Sequence, residues 1–161
     1  MREILFRGKR MDDGEWVEGS FVQCGEAHRF VSRPDLPFSD CYIFGKTDED
    51  IVDSFGEETV FFNIGAYHID PETVGQYTGL TDKNGTKIFE GDIVRHHNGF
   101  PDSEIEEKGA VFWDEKYCGW RRTSNGAFHH GVADTYRISP ECCYEIIGNI
   151  RDNPELLQGG E

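Results

Sequence analysis

Residues 81–99 read TDKNGTKIFEGDIVRHHNG, and one straight strand cannot satisfy their pattern. Side chains two apart on a strand share a face. Ile88, Glu90 and Asp92 would lie together, as would Phe89, Gly91 and Ile93, so no single register buries every apolar residue. A bulge or turn at Gly91 resets the alternation, because glycine accepts the dihedrals a tight bend demands. Asp92 then serves the backbone, accepting hydrogen bonds from amides freed at the bend. Glu90, Gly91 and Asp92 are therefore expected to form a structural turn. The competing reading makes Glu90 and Asp92 an acid–base pair, which needs a cleft and a substrate-positioning group. The sequence shows neither.

Outward from this turn, Asn84-Gly85 signals a hairpin ahead of the strand. GDIV (91–94), a polar loop and then GAVFW (109–113) follow the punctuation of an SH3-like small barrel. GAVFWDEKYCGWRRTS (109–124) reads as a further hairpin bending near Asp114-Glu115-Lys116, with Trp113 and Trp120 on either side. Residues 125–141 are ambiguous between a strand with a loop and a loop with a helical turn. CCYEIIGNI (142–150) is a final strand, and Asn153-Pro154 starts a short helical turn. Toward the N-terminus, EILFRGKRMDDGEWVEGSFV (3–22) alternates as a hairpin around Asp13-Gly14. Residues 59–69 read as a strand pair broken at Gly65, and Asp70-Pro71-Glu72 as a turn or short helical start. Residues 23–58 hold Pro34, Pro37 and six carboxylates in TDEDIVDSFGEE (47–58) without a basic neighbour. They are expected as a solvated acidic insertion. A calcium loop is the sharper alternative for this stretch, but Gly and Glu miss the positions an EF-hand requires.

The expected class is thus mainly β. An N-terminal hairpin-rich part (1–80, with the insertion at about 23–58) precedes an SH3-like small barrel and short tail (81–161), with few short helices. The 161 residues include 19 Gly, 12 Phe, 6 Tyr and 3 Trp but 2 Met, a balance that favours strands and turns. Acids outnumber bases 31 to 16, giving a formal net charge of -15, and neither half of the sequence is basic. Such a surface repels phosphate and anionic lipid, which argues against nonspecific nucleic-acid or membrane binding. No apolar run reaches the length of a membrane span or a leader peptide. The five cysteines form no CxxC, and adjacent Cys142 and Cys143 would point to opposite faces of a strand. A reducing, cytoplasmic setting with inert thiols is expected.

Three blocks carry a likeness: FRGKRMDDGEWVEG (6–19), DPETVGQYTGLTDKNGTKIFEGDIV (70–94) and YEIIGNIRDNPELL (144–157). In order and spacing they resemble the YopX family of phage and prophage proteins across almost the whole chain. Segments 23–58 and 97–140 contribute nothing to the likeness. The resemblance implies a mainly-β phage or prophage protein of a bacterial host, and it supplies no catalytic residues to carry over.

Chemistry-bearing residues are sparse. His96-His97 and His129-His130 alternate faces if they lie on strands, so each doublet offers one ligand at most. No metal or cofactor is expected. Cys118 near Arg121 has the neighbourhood of a lowered-pKa thiol, although a cysteine on an aromatic hairpin usually packs. No nucleophile elbow, P-loop or dinucleotide fingerprint occurs, so an enzyme is not expected. Trp113, Trp120, Arg121 and Arg122 are the candidate binding residues, since arginine beside aromatic rings suits single-stranded nucleic acid or a protein partner. The leading expectation is a non-enzymatic interaction scaffold that forms homo-oligomers or binds a host or phage protein. A nucleic-acid-binding barrel is the alternative. An acidic DNA mimic acting on a host protein is a third reading.

Overall fold

The computed structural model describes residues 3–23, 41–46, 64–97, 106–129, 132–140 and 143–157. The acidic stretch 47–58, with its calcium-loop alternative, lies outside them. Every regular element among these residues is a strand apart from two short 3-10 turns at Pro71–Thr73 and Pro154–Leu157. No described helix is long and apolar enough to cross a membrane. The chain divides into two compact units, one of Ile4–Gly75 and one of Met1–Glu3 with Gln76–Glu161.

In the first unit, β1 (Phe6–Lys9), β2 (Trp16–Gln23), β3 (Cys41–Lys46) and β4 (Ile64–Ile69) pair antiparallel in chain order. One face carries the core residues Cys41, Ile43 and Ile69, all essentially inaccessible to solvent. Gly8 belongs to the same face because Ile69 leaves no room for more: a Cβ there would stand 2.2 Å from Ile69 Cγ2. The sheet curls at one end, where Arg10 bridges Ile69 and Asp70 N–H donates to Lys9 C=O at 2.9 Å. Two expectations change. Cys41–Lys46, inside the stretch read as an insertion, is a strand with two core residues; its alternation is short and flanked by prolines and acids. Gly65 lies within β4, opposite Gly45, so no break falls there, and residues 59–63 of the expected pair lie outside the described residues.

In the second unit, β5 (Gly75–Thr81) and β6 (Lys87–Phe89) form a hairpin. β7 (Asp92–His97), β8 (Glu106–Asp114), β9 (Gly119–His129), β10 (Val132–Arg137) and β11 (Tyr144–Asn149) form a five-stranded antiparallel sheet in the order β10-β9-β8-β7-β11. Ile88, Val94, Val111, Ile138 and Tyr144 make its core, with Leu80, Trp120 and Ile146 packed alongside. The ambiguous 125–141 region supplies the end of β9 and the whole of β10. The expected closure into a barrel is not seen among the described residues. β10 and β11 end the sheet on opposite sides, and closure would need those two to pair.

Candidate functional site

The turn at Glu90–Asp92 joins three other parts of the second unit through the backbone. Gly91 adopts φ +83, which an L side chain rarely takes. Glu90 N–H donates to Gln76 C=O at 2.9 Å, and Gly91 N–H donates to Val111 C=O at 2.8 Å. Ile150 N–H in turn donates to Gly91 C=O at 2.9 Å. The hairpin, β8 and the segment after β11 therefore meet at the peptide groups of this turn. Asp92, 1% exposed, accepts the Phe89 N–H at 2.7 Å through Oδ2. Glu90 Oε1 stands 3.5 Å from Trp113 N, the long limit of a hydrogen bond. Both carboxylates thus face backbone amides.

A second aspartate holds the neighbouring hairpin. Asp82 is buried, and its Oδ1 accepts N–H groups of Asn84 at 2.8 Å and Thr86 at 2.9 Å. Its Oδ2 accepts the Asn84 amide at 3.3 Å and Ile146 N–H at 3.4 Å. Burial pushes its pKa up, but the donors from Thr86, Asn84 and Ile146 outweigh burial and hold it below the usual carboxylate value. A folded-state pKa below the unfolded one means that the stabilisation is present above the unfolded value, about 3.9. It is lost as pH falls through the folded value. Asp82→Asn should therefore lower the melting temperature by several degrees near neutral pH. The gap from the native protein should close as pH drops below about 4. A pH-independent gap in a thermal melt series would contradict this reading.

Strand register divides the four candidate binding residues between two faces. Trp113 pairs with Trp120, Phe112 with Arg121 and Val111 with Arg122. Trp113, Trp120 and Arg122 therefore share the core face, and Arg121 points to the other. Trp113 meets Trp120 edge to face at 5.1 Å and is 42% exposed. Trp120 packs on the core, and its indole N–H is buried with no hydrogen-bond partner among the described residues. Arg122 is 3% exposed; its Nη2 contacts Glu107 at 2.5 Å and its guanidinium lies 5.0 Å from the Tyr136 ring. It is a buried ion pair rather than a cation offered to solvent. Arg121 donates to the Thr135 hydroxyl at 2.8 Å and to the Thr135 carbonyl, faces Asp114 at 3.5 Å and stacks 4.4 Å over Tyr117.

What these strands do present is aromatic. Trp113, Tyr117 and Tyr136 are each exposed by two-fifths or more. Sequence reasoning finds the first and misses the two tyrosines; Tyr136 lies in the region it leaves ambiguous. Cys118 closes the β8–β9 turn at φ 46 with an exposed thiol. His96 packs against Tyr144 at 5.4 Å, and His68 stacks on Tyr42 at 5.3 Å. Among the described residues no three His, Cys, Asp or Glu side chains are placed to share a metal ion. The side chains of His97 and His129, and the whole of His130, lie outside the described residues.

A family model described as "YopX protein" matches residues 5–158. Among solved structures, protein EF1440 from Enterococcus faecalis aligns over 98% of this chain and 99% of its own, with 19% identity and a TM-score of 0.47. No curated protein matches the sequence.

Proposed function

The chain belongs to the YopX protein family, and from that premise we propose that it is a cytoplasmic phage or prophage accessory protein that works by protein contact rather than catalysis. The observation that carries this reading is the exposure of three aromatic side chains, Trp113, Tyr117 and Tyr136, the last of them on the outer strand of the sheet. Tryptophan and tyrosine are the residues most enriched at the energetic centres of interfaces, and Arg121 stacked on Tyr117 adds a third favoured type. Tyr136 lies on β10, which ends the five-stranded sheet and carries a row of backbone groups on its outer side. The partner that suits such an edge is a second copy of this chain, its β10 extending the sheet antiparallel across a two-fold axis. On this reading the open five-stranded sheet is the SH3-like element, with its edge left for pairing. Tyr136 would then be covered by the partner.

Sedimentation of the full chain tests this directly. Association should be reversible, and Tyr136→Ala should weaken it roughly 30-fold, the effect of losing a hot-spot residue worth about 2 kcal/mol. A chain that stays monomeric at every concentration, or associates equally well without the Tyr136 ring, would remove the reading.

A further inference from the structure

Backbone parity along β10 fixes which groups its outer side offers. Ile138 N–H donates to Trp120 C=O at 3.2 Å, and the register sets Tyr136 opposite Arg122 and Arg137 opposite Arg121. Successive residues of an antiparallel strand turn their backbone groups to opposite sides. Ile138 and Tyr136 therefore face β9, while Thr135 and Arg137 face away from the sheet. The outward carbonyl of Thr135 is already in use. Arg121 Nη2 donates to it, and Arg121 Nε donates to the Thr135 hydroxyl at 2.8 Å. We propose that Arg121 is a guard on the β10 edge, occupying the acceptor that a second copy of this chain must use to pair there. This rests on the reading that β10 pairs with a second copy, and concerns what controls that pairing.

Symmetry makes this one carbonyl decisive. A two-fold axis that extends the sheet and keeps like faces together sets one residue of β10 opposite itself. Among the residues of β10 whose side chains are described, that residue is Thr135, Tyr136 or Arg137. With Tyr136 on the axis, its 43%-exposed ring meets its own copy, and Thr135 exchanges both backbone bonds with Arg137 of the second copy. With Thr135 on the axis, Thr135 exchanges both bonds with itself. Either arrangement needs the Thr135 carbonyl. An axis at Arg137 spares it, because β10 ends there, but sets two exposed guanidinium groups directly opposite each other, which is repulsive. The guard is itself held in place. The Arg121 side chain is 17% exposed, faces Asp114 at 3.5 Å and stacks 4.4 Å over Tyr117. A planar fork of donors suits the task, since it reaches the carbonyl and the hydroxyl of Thr135 together. Pairing must lift this cation from one carbonyl on each chain, and hydrogen bonds from a charged donor are the strong ones. A charged side chain laid over a sheet edge is also a common protection against uncontrolled pairing.

Sedimentation equilibrium of the full chain, native and with Arg121→Met, Thr135→Val and both together, tests the guard. Arg121→Met should tighten association about tenfold or more, since two carbonyls no longer have to be released. Removing a cation makes an acidic chain more negative, so net charge alone predicts the opposite sign. Thr135→Val keeps every charge and frees only Arg121 Nε, and should tighten association by about threefold. The double variant should associate no more tightly than Arg121→Met alone, because the Thr135 hydroxyl acts through Arg121. Adding Tyr136→Ala to Arg121→Met should undo the gain. Circular dichroism is recorded for each variant, and Thr135→Val carries the test if Arg121→Met does not fold. Association left unchanged or weakened in folded Arg121→Met, while Tyr136→Ala still weakens the native chain, overturns the guard and leaves edge pairing standing. A gain in Arg121→Met with none in Thr135→Val is a local charge effect and also overturns the guard. A gain that Tyr136→Ala does not undo places the contact elsewhere and overturns both.

Discussion

Gly109→Ala adds one methyl group and should nonetheless melt the second unit at a markedly lower temperature. A Cβ at this position would lie 1.8 Å from the Thr123 carbonyl oxygen and 2.8 Å from its carbon. Both obstructing atoms are backbone, so no rotamer change relieves the clash. β8 and β9 keep regular register from Val111–Arg122 to Asp114–Gly119. Just before that stretch, Ala110 N–H donates to the Thr123 hydroxyl at 3.0 Å. The chains close in at Gly109 because nothing projects between them, a usual place for glycine within a strand. A methyl group forces them apart and loosens the ladder next to Val111, one of the core residues. Overpacking costs about 1–3 kcal/mol, and a clash with two backbone atoms belongs at the upper end of that range, about 3 kcal/mol. In a unit of this size that is a fall in melting temperature of roughly 12 °C or more. Thermal unfolding followed by circular dichroism measures it, and a shift of only a degree or two would mean that the strands are not so close.

The same local logic decides what is legible in the sequence and what is not. The hairpin at Asn84-Gly85 is legible because the dipeptide demands positive φ, and Gly85 has φ +84. The bend after Asp114 is legible from its turn residues, and it sets Trp113 opposite Trp120. β3 is not. Cys41–Lys46 is a short strand whose neighbours in the sheet come from distant parts of the chain, and the surrounding prolines and acids speak louder. Arg121 and Arg122 invite grouping as one surface because they are adjacent in sequence. Strand alternation sends them to opposite faces, and Arg122 ends buried against Glu107. Period two alone is enough to separate them.

Barrel closure is illegible for a related reason. Punctuation such as GDIV and GAVFW reports on single strands and their turns. Whether the two outer strands meet depends on curvature summed across the sheet, which no short motif records.

The central claim is that Gly91 folds the chain at a junction whose acids serve the backbone. Space is not the constraint at this residue, because a Cβ would meet Ile150 at 3.5 Å, an ordinary contact. Dihedral preference is the constraint, at φ +83. Asparagine tolerates positive φ better than most residues, alanine poorly, and a β-branched residue least. Gly91→Asn should therefore cost least, Gly91→Ala more, and Gly91→Val about 2 kcal/mol or more. The last is a fall of roughly 8–16 °C in melting temperature. Val must also hold the amide and carbonyl that Val111 and Ile150 use, at 2.8 and 2.9 Å. The most direct measurement is the melting temperature of these three variants beside the native chain. The account predicts the order native, Asn, Ala, Val, with a wide gap before Val. A Val variant as stable as the Asn variant would show that residue 91 is not held at positive φ, and the junction would lose its physical basis.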